Sequence, residues 1–118
     1  MRSVTYVAVD GGSSDNLEAT GSKLCWDAAV ANRLGREERC VLVGMHCDSG
    51  DQLIDDVGLS SPHTGDVIAM AVSGAYSFAC ASNFNAVRGV PVVFCEDGTA
   101  REVLRRETWD ELFARDTE

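Results

Sequence analysis

The feature that most constrains this chain is how briefly each apolar run lasts. Val4-Thr5-Tyr6-Val7-Ala8-Val9 stops at Asp10-Gly11-Gly12, Val41-Leu42-Val43 stops at Gly44, and Val90-Pro91-Val92-Val93-Phe94-Cys95 stops just before Asp97-Gly98. Short β-branched and aromatic runs closed by turn residues are the pattern of strands. None of these runs approaches the ~20 residues a membrane helix needs. The first residues also lack the apolar core of a signal peptide, so a cytoplasmic protein is expected. The 118 residues amount to one domain. A chain of that size buries roughly two-thirds of its unfolded surface and holds its own core. The expected fold is mainly β: a Greek-key-like antiparallel β-barrel or sandwich with short helical segments, one domain over residues 1–118.

Along the chain, strands are predicted over Val4–Val9, Arg39–Gly44, Asp66–Val72 and Val90–Cys95. Leu53–Val57 reads as a short extended piece. Ser13–Ser22 reads as a loop. Leu24–Leu34 suits helix or strand equally, because its alanines favour one and Cys25, Trp26 and Val30 the other. His46–Asp51 is a polar turn, and Ala79–Asn85 suits a helical turn. Asp97-Gly98 predicts a hairpin between Val90–Cys95 and Ala100–Arg106. Thr108 followed three residues on by Glu111 is a capping box at a helix start.

Charge excludes one class of partner. Nineteen acidic residues face ten basic ones, for a net charge of −9. Nucleic-acid binding needs clustered Lys and Arg to displace counterions. The nearest cluster here, Arg101 with Arg105-Arg106, is interrupted by Glu102. Neither nucleic acid nor an anionic membrane is an expected partner. Cys25, Cys40, Cys47, Cys80 and Cys95 are odd in number, and no Cys-x-x-Cys pair occurs among them. Most are therefore expected as small buried apolar residues. With only His46 and His63 beside them, they complete no zinc spacing, and no metal site is expected.

Two segments stand out for chemistry. Gly44-Met45-His46-Cys47-Asp48-Ser49-Gly50-Asp51 sets a thiol among carboxylates directly after a strand, where sites are usually built. A polar turn explains the same composition. Nearby carboxylates disfavour a thiolate, so a thiol in that setting is suited to proton donation and poorly suited to nucleophilic attack. Gly74-Ala75-Tyr76-Ser77-Phe78 offers a phenol on a loop of small residues, although a core tyrosine reads the same way. Gly11-Gly12 before Ser13-Ser14-Asp15-Asn16 is either a ligand cradle or a plain turn.

In order along the chain, Val9-Asp10-Gly11-Gly12-Ser13-Ser14-Asp15-Asn16, Ala31-Asn32-Arg33, His46-Cys47-Asp48-Ser49-Gly50-Asp51, Gly65-Asp66, Gly74-Ala75-Tyr76, Ala81-Ser82-Asn83-Phe84-Asn85 and Arg105-Arg106-Glu107-Thr108-Trp109-Asp110-Glu111-Leu112 form a recognisable series. It resembles the carboxy-terminal β-domain of diaminopimelate decarboxylase-like, fold-type III pyridoxal-phosphate decarboxylases. The resemblance implies an active site shared with a (β/α)₈ barrel, whose lysine binds pyridoxal phosphate. It implies that Cys47 is the catalytic acid that protonates the substrate carbon after carbon dioxide leaves. It places Asp48, where the family usually has glutamate, against the far end of the substrate, and Tyr76 against the cofactor.

Departures from the family pattern carry information too. After Asp15-Asn16 the family continues with a substrate-gripping arginine, a proline and then a tyrosine, and here those positions are Glu18, Ala19 and Ser22. Glu18 reverses the charge at a substrate-binding position, so a diacid substrate would meet repulsion there. The (β/α)₈ barrel, which takes ~250 residues, is absent. Lys23, the one lysine, does not match the family's cofactor lysine. Three readings stay open. The chain is the β-domain subunit of a split amino-acid decarboxylase, in a hetero-oligomer with a separate barrel subunit that binds pyridoxal phosphate. Otherwise it is a non-catalytic regulatory module that docks on a barrel-containing decarboxylase, or a fragment of a longer decarboxylase.

Overall fold

A computed structural model describes residues 3–22 and 24–117. Lys23 lies outside the described residues. The elements are β1 (Thr5–Ala8), α1 (Leu17–Gly21), β2 (Ala28–Val30), β3 (Glu38–Val43), β4 (Gln52–Leu59), β5 (Ile68–Met70), a 3₁₀ turn (Phe84–Ala86), β6 (Val92–Glu96), β7 (Thr99–Leu104) and α2 (Trp109–Leu112). The chain divides into two compact units, one running to Ala81 and the other starting at Ser82.

In the first unit the central sheet has the order β1-β3-β4, and β2 pairs with β5 in a second, two-stranded sheet. Alternation decides which face is buried. Cys40 and Leu42 of β3 point inward, and Leu53, Ile54, Val57 and Leu59 of β4 meet them. Ala19, Ala28 and Val30 complete the buried cluster, and Val7, Val9, Trp26, Ile68 and Met70 lie against it. Burial of such side chains contributes about 1.5–3 kcal/mol each before entropy is counted.

The second unit is a hairpin followed by a helical turn. β6 and β7 pair antiparallel, with Glu96 opposite Thr99. Asp97 and Gly98 both have positive φ, 48° and 74°, as a two-residue turn matched to strand twist requires. Thr108 caps α2, and the reciprocal bonds with Glu111 form the expected capping box.

The mainly-β expectation holds, as do the hairpin and the capped helix. Several details differ. The strands form three separate sheets and close no barrel among the described residues. Three of the four strand pairings are antiparallel, but β1 and β3 run parallel, because the chain crosses through α1 and β2 before it returns. Ser13–Ser22 is not all loop, since Asn16 caps α1 within it. β4 extends well past Leu53–Val57. Register shifts against β3 break its alternation and leave Asp55 and Asp56 exposed between two buried stretches. The cysteines are the clearest correction. Cys40 is buried, Cys80 is half-buried, and Cys25, Cys47 and Cys95 are exposed.

Candidate functional site

The loop from Gly11 to Asn16 organises the candidate site. It leaves β1 and turns at once: the amides of Asp15 and Asn16 both donate to the Gly12 carbonyl, at 3.1 and 2.8 Å. The Gly12 amide donates to the Asp15 carboxylate at 2.8 Å. Ser14 and Asn16 are buried polar residues, so their side chains need partners. They find them on two other loops.

The Cys47 loop joins β3 to β4. Its exposed tip runs from Cys47 to Gly50, and its base is closed by Asp51, which is only 4% exposed. The Asp51 carboxylate faces the Gly11–Asn16 loop. One oxygen accepts from the Ser13 amide at 2.7 Å, and the other accepts from the His46 amide at 2.8 Å. A buried carboxylate held by backbone donors is among the stronger kinds of hydrogen bonding. The Gly44 amide also donates to the Asp51 carbonyl, at 2.8 Å. His46 adds a second tie, with Nε2 3.0 Å from Ser14 Oγ and accepting from the Ser14 amide at 3.3 Å. The Met45 amide reaches the Gly11 carbonyl at 3.0 Å.

Asp48 lies at the exposed tip, where one carboxylate oxygen accepts from the Gly50 amide at 2.9 Å. A turn and an exposed thiol therefore occupy the same loop, and the two readings of its composition do not exclude each other.

Tyr76 sits on a loop after β5 and is 66% exposed, so it is not a core tyrosine. Val72 enters that loop at φ 60°, a conformation that a β-branched residue adopts only under strain. The loop is tied down by Asn16. Ser77 Oγ donates to Asn16 Oδ1 at 3.1 Å, and Asn16 Nδ2 donates to Ser73 Oγ at 3.3 Å. Glu18 follows on α1, half-buried, and no ion pair among the described residues involves it.

All four side chains singled out from the sequence thus sit on or beside one braced set of loops. Cys47 and Asp48 are on one loop, Tyr76 on a second, and Glu18 on the helix leaving the third. Two residues that matter to this arrangement were missed as anchors, Asp51 and Asn16. Asp51 read as a turn residue acting on Cys47, and its long-range partner Ser13 left no local signal. Glycines give the one trace. A Cβ at Gly12 would stand 2.6 and 2.7 Å from the Asp51 oxygens, and a Cβ at Gly44 would collide with the same carboxylate. His63, also considered as a metal ligand, donates its amide to Asp66 at 2.8 Å in a separate turn. Among the described residues no cluster of His, Cys, Asp or Glu is placed to hold a metal ion, and no helix is long and apolar enough to cross a membrane.

A sheet module with braced, exposed loops at its strand ends defines a class, and comparison with known proteins identifies it. The family model for the pyridoxal-dependent decarboxylase C-terminal sheet domain matches residues 1–74, and the chain belongs to that family. Its relatives are diaminopimelate decarboxylases. The Bacillus subtilis enzyme is 39% identical over 113 residues, covering 94% of this chain and 26% of that protein. The Actinosynnema pretiosum enzyme is 44% identical over 112 residues, covering 94% and 26%. A diaminopimelate decarboxylase from M. jannaschii, solved in complex with L-lysine, superposes with a TM-score of 0.85 at 25% identity, over 96% of this chain and 26% of that one. The chain therefore spans about a quarter of the length of the curated relatives it matches.

Proposed function

We propose that this chain is the sheet-domain component of a cytoplasmic, pyridoxal-phosphate-dependent amino-acid decarboxylase. It supplies the Cys47 loop and Tyr76 to an active site that a separate barrel subunit completes, in a hetero-oligomer. The observation that carries the reading is the pair of exposed side chains, the Cys47 thiol and the Tyr76 phenol, on loops anchored to one buried polar segment. A module with no catalytic duty has no need to hold an exposed thiol and phenol on so rigid a base.

The residues present fit a contribution to the cofactor site and do not fit its anchor. Covalent capture needs a lysine amine, and the chain's one lysine, Lys23, does not match the family's cofactor lysine. Tyr76 offers an exposed aromatic face and a hydroxyl donor, suited to the edge of a planar, phosphorylated ring. When bound, pyridoxal phosphate acts as the electron sink that lets carbon dioxide leave. The chain's own share follows. Cys47 presents a proton to the substrate carbon from an exposed loop. Asp48 and Glu18 set the charge that the substrate's side chain meets, and two acids there favour a neutral or cationic amino acid over a diacid. Asp51 and Asn16 hold the loops.

The test is reconstitution. The purified chain with pyridoxal phosphate should show neither the absorbance of lysine-bound cofactor at defined stoichiometry nor decarboxylation. Adding a barrel polypeptide should give a stable complex on size exclusion and release carbon dioxide from an amino acid. Separate elution at micromolar concentration, or turnover by the chain alone, overturns the reading. A blot of the native source for this sequence decides how the barrel is supplied. A band near 12.6 kDa supports a separate subunit, and a band several times larger places the barrel on the same polypeptide.

A further inference from the structure

We infer that the Gly11–Asn16 loop is a shared brace that couples the Cys47 loop to the Tyr76 loop, with Asp51 and Asn16 as its positioning residues. The inference rests on the proposed roles of Cys47 and Tyr76.

The bonding is divided in a particular way. Four bonds tie the first residues of this loop, Gly11, Ser13 and Ser14, to the Cys47 loop. Ser13 donates to Asp51, Ser14 meets His46, and Gly11 accepts from Met45. The ties between this loop and the Tyr76 loop are made by its last residue, where the Asn16 side chain is bonded to Ser73 and Ser77. Between the two ends lies a single tight turn, closed by the amides of Asp15 and Asn16 on the Gly12 carbonyl. Movement of Ser13 therefore moves Asn16.

Three observations indicate that position is held here against local preference. The Asp51 carboxylate and Ser77 are both buried polar groups, with few alternatives to these partners. Gly12 lies where any side chain would strike Asp51 and His46. The Ser13 hydroxyl is buried with no hydrogen-bond partner among the described residues, so the residue is placed by its backbone bond to Asp51 and not by its own side chain. Two side chains on different loops keep a fixed spacing only if their supports are joined, and catalytic groups misplaced by about an ångström lose much of their effect.

Amide hydrogen exchange on the whole chain tests the brace, and turnover in the reconstituted complex tests the positioning. Asp51→Asn replaces one acceptor oxygen with a donor, so the Ser13 or His46 amide loses its partner. Exchange at Ser13 and His46 should then rise roughly tenfold to hundredfold. It should also rise at Cys80 and Ala81, whose amides donate to the Tyr76 and Phe78 carbonyls. Ser77→Ala, made at the other end, should speed exchange at Ser13 and His46. If Asp51→Asn does not fold, Ser77→Ala reads the same coupling. A rise confined to the mutated loop overturns the brace. In the complex, each variant should lower kcat with KM little changed. Coupled exchange with wild-type kcat overturns the positioning roles. A wild-type complex without turnover refutes the proposed function, and the exchange data still decide the brace.

Discussion

Gly12→Ala should destabilise the first unit and loosen the Cys47 loop together. The added Cβ would stand 2.6 and 2.7 Å from the two Asp51 oxygens and 2.8 Å from His46 Cδ2. None of these neighbours can yield freely. The Asp51 oxygens are held by the Ser13 and His46 amides, and the His46 ring is held by Ser14. Relief requires the carboxylate to move and to release one or both amides. A hydrogen bond to a charged group contributes about 1.5–3 kcal/mol, so the loss should fall at about 1.5–6 kcal/mol, against a total stability of about 5–15 kcal/mol for a natural domain. Gly21→Ala is the matched control, because nothing lies within 4 Å of its added Cβ. It should be neutral or stabilising by up to about 1 kcal/mol. Urea unfolding is followed by the fluorescence of Trp26, which lies against the core, in a Trp109→Phe background. If Gly12→Ala unfolds within about 0.5 kcal/mol of its parent, the buried carboxylate does not brace the loops and the reasoning fails.

Three further outcomes are expected. In the reconstituted complex, Cys47→Ala should lower turnover by about 10²–10⁴-fold with little change in cofactor binding. Wild-type turnover in both Cys47→Ala and Cys47→Ser would remove the thiol from the mechanism. Glu18→Arg should weaken use of the natural substrate and improve use of a diacid, and efficient diaminopimelate turnover by the unmutated complex would refute the charge argument. Glu111 should titrate near 2, because the Arg105 guanidinium and the Thr108 cap hold its carboxyl down from 4.5 to about 2. The capped helix then keeps the full contribution of this pairing above about pH 4.5 and loses it as pH falls through about 2. A carboxyl shift titration by NMR checks this, and a midpoint near 4.5 would show that the pairing with Arg105 is absent in solution.

Local chemistry made part of this protein legible. Asp97-Gly98 specified its turn because both residues tolerate positive φ, and Thr108 with Glu111 specified a cap because the two bonds close within one helical turn. The Cys47 loop and Tyr76 stood out as unusual combinations at strand ends. β4 was harder to read. The register shifts against β3 spoil the alternation that reveals a strand, and its partner is needed to show that Leu53–Ile54 and Val57–Leu59 belong to one element. Exposure of the cysteines was likewise invisible, since a free thiol usually packs in the core and no local signal marks Cys25, Cys47 and Cys95 as exceptions.

The sequence by itself determined the Asp97-Gly98 turn, the Thr108 cap, the strands around Val41–Val43 and Val92–Cys95, and which side chains could do chemistry, because each follows from neighbours a few residues apart. Tertiary structure alone decided that Asp51 points back to Ser13, that Asn16 reaches Ser73 and Ser77, and that β1 lies parallel to β3. Those contacts join residues 38, 57 and 61 positions apart. No local preference of either partner encodes such a pairing. It exists because burying the core around Leu42 and Leu59 brings the loops together, and the buried polar groups must then bond to whatever donors lie opposite.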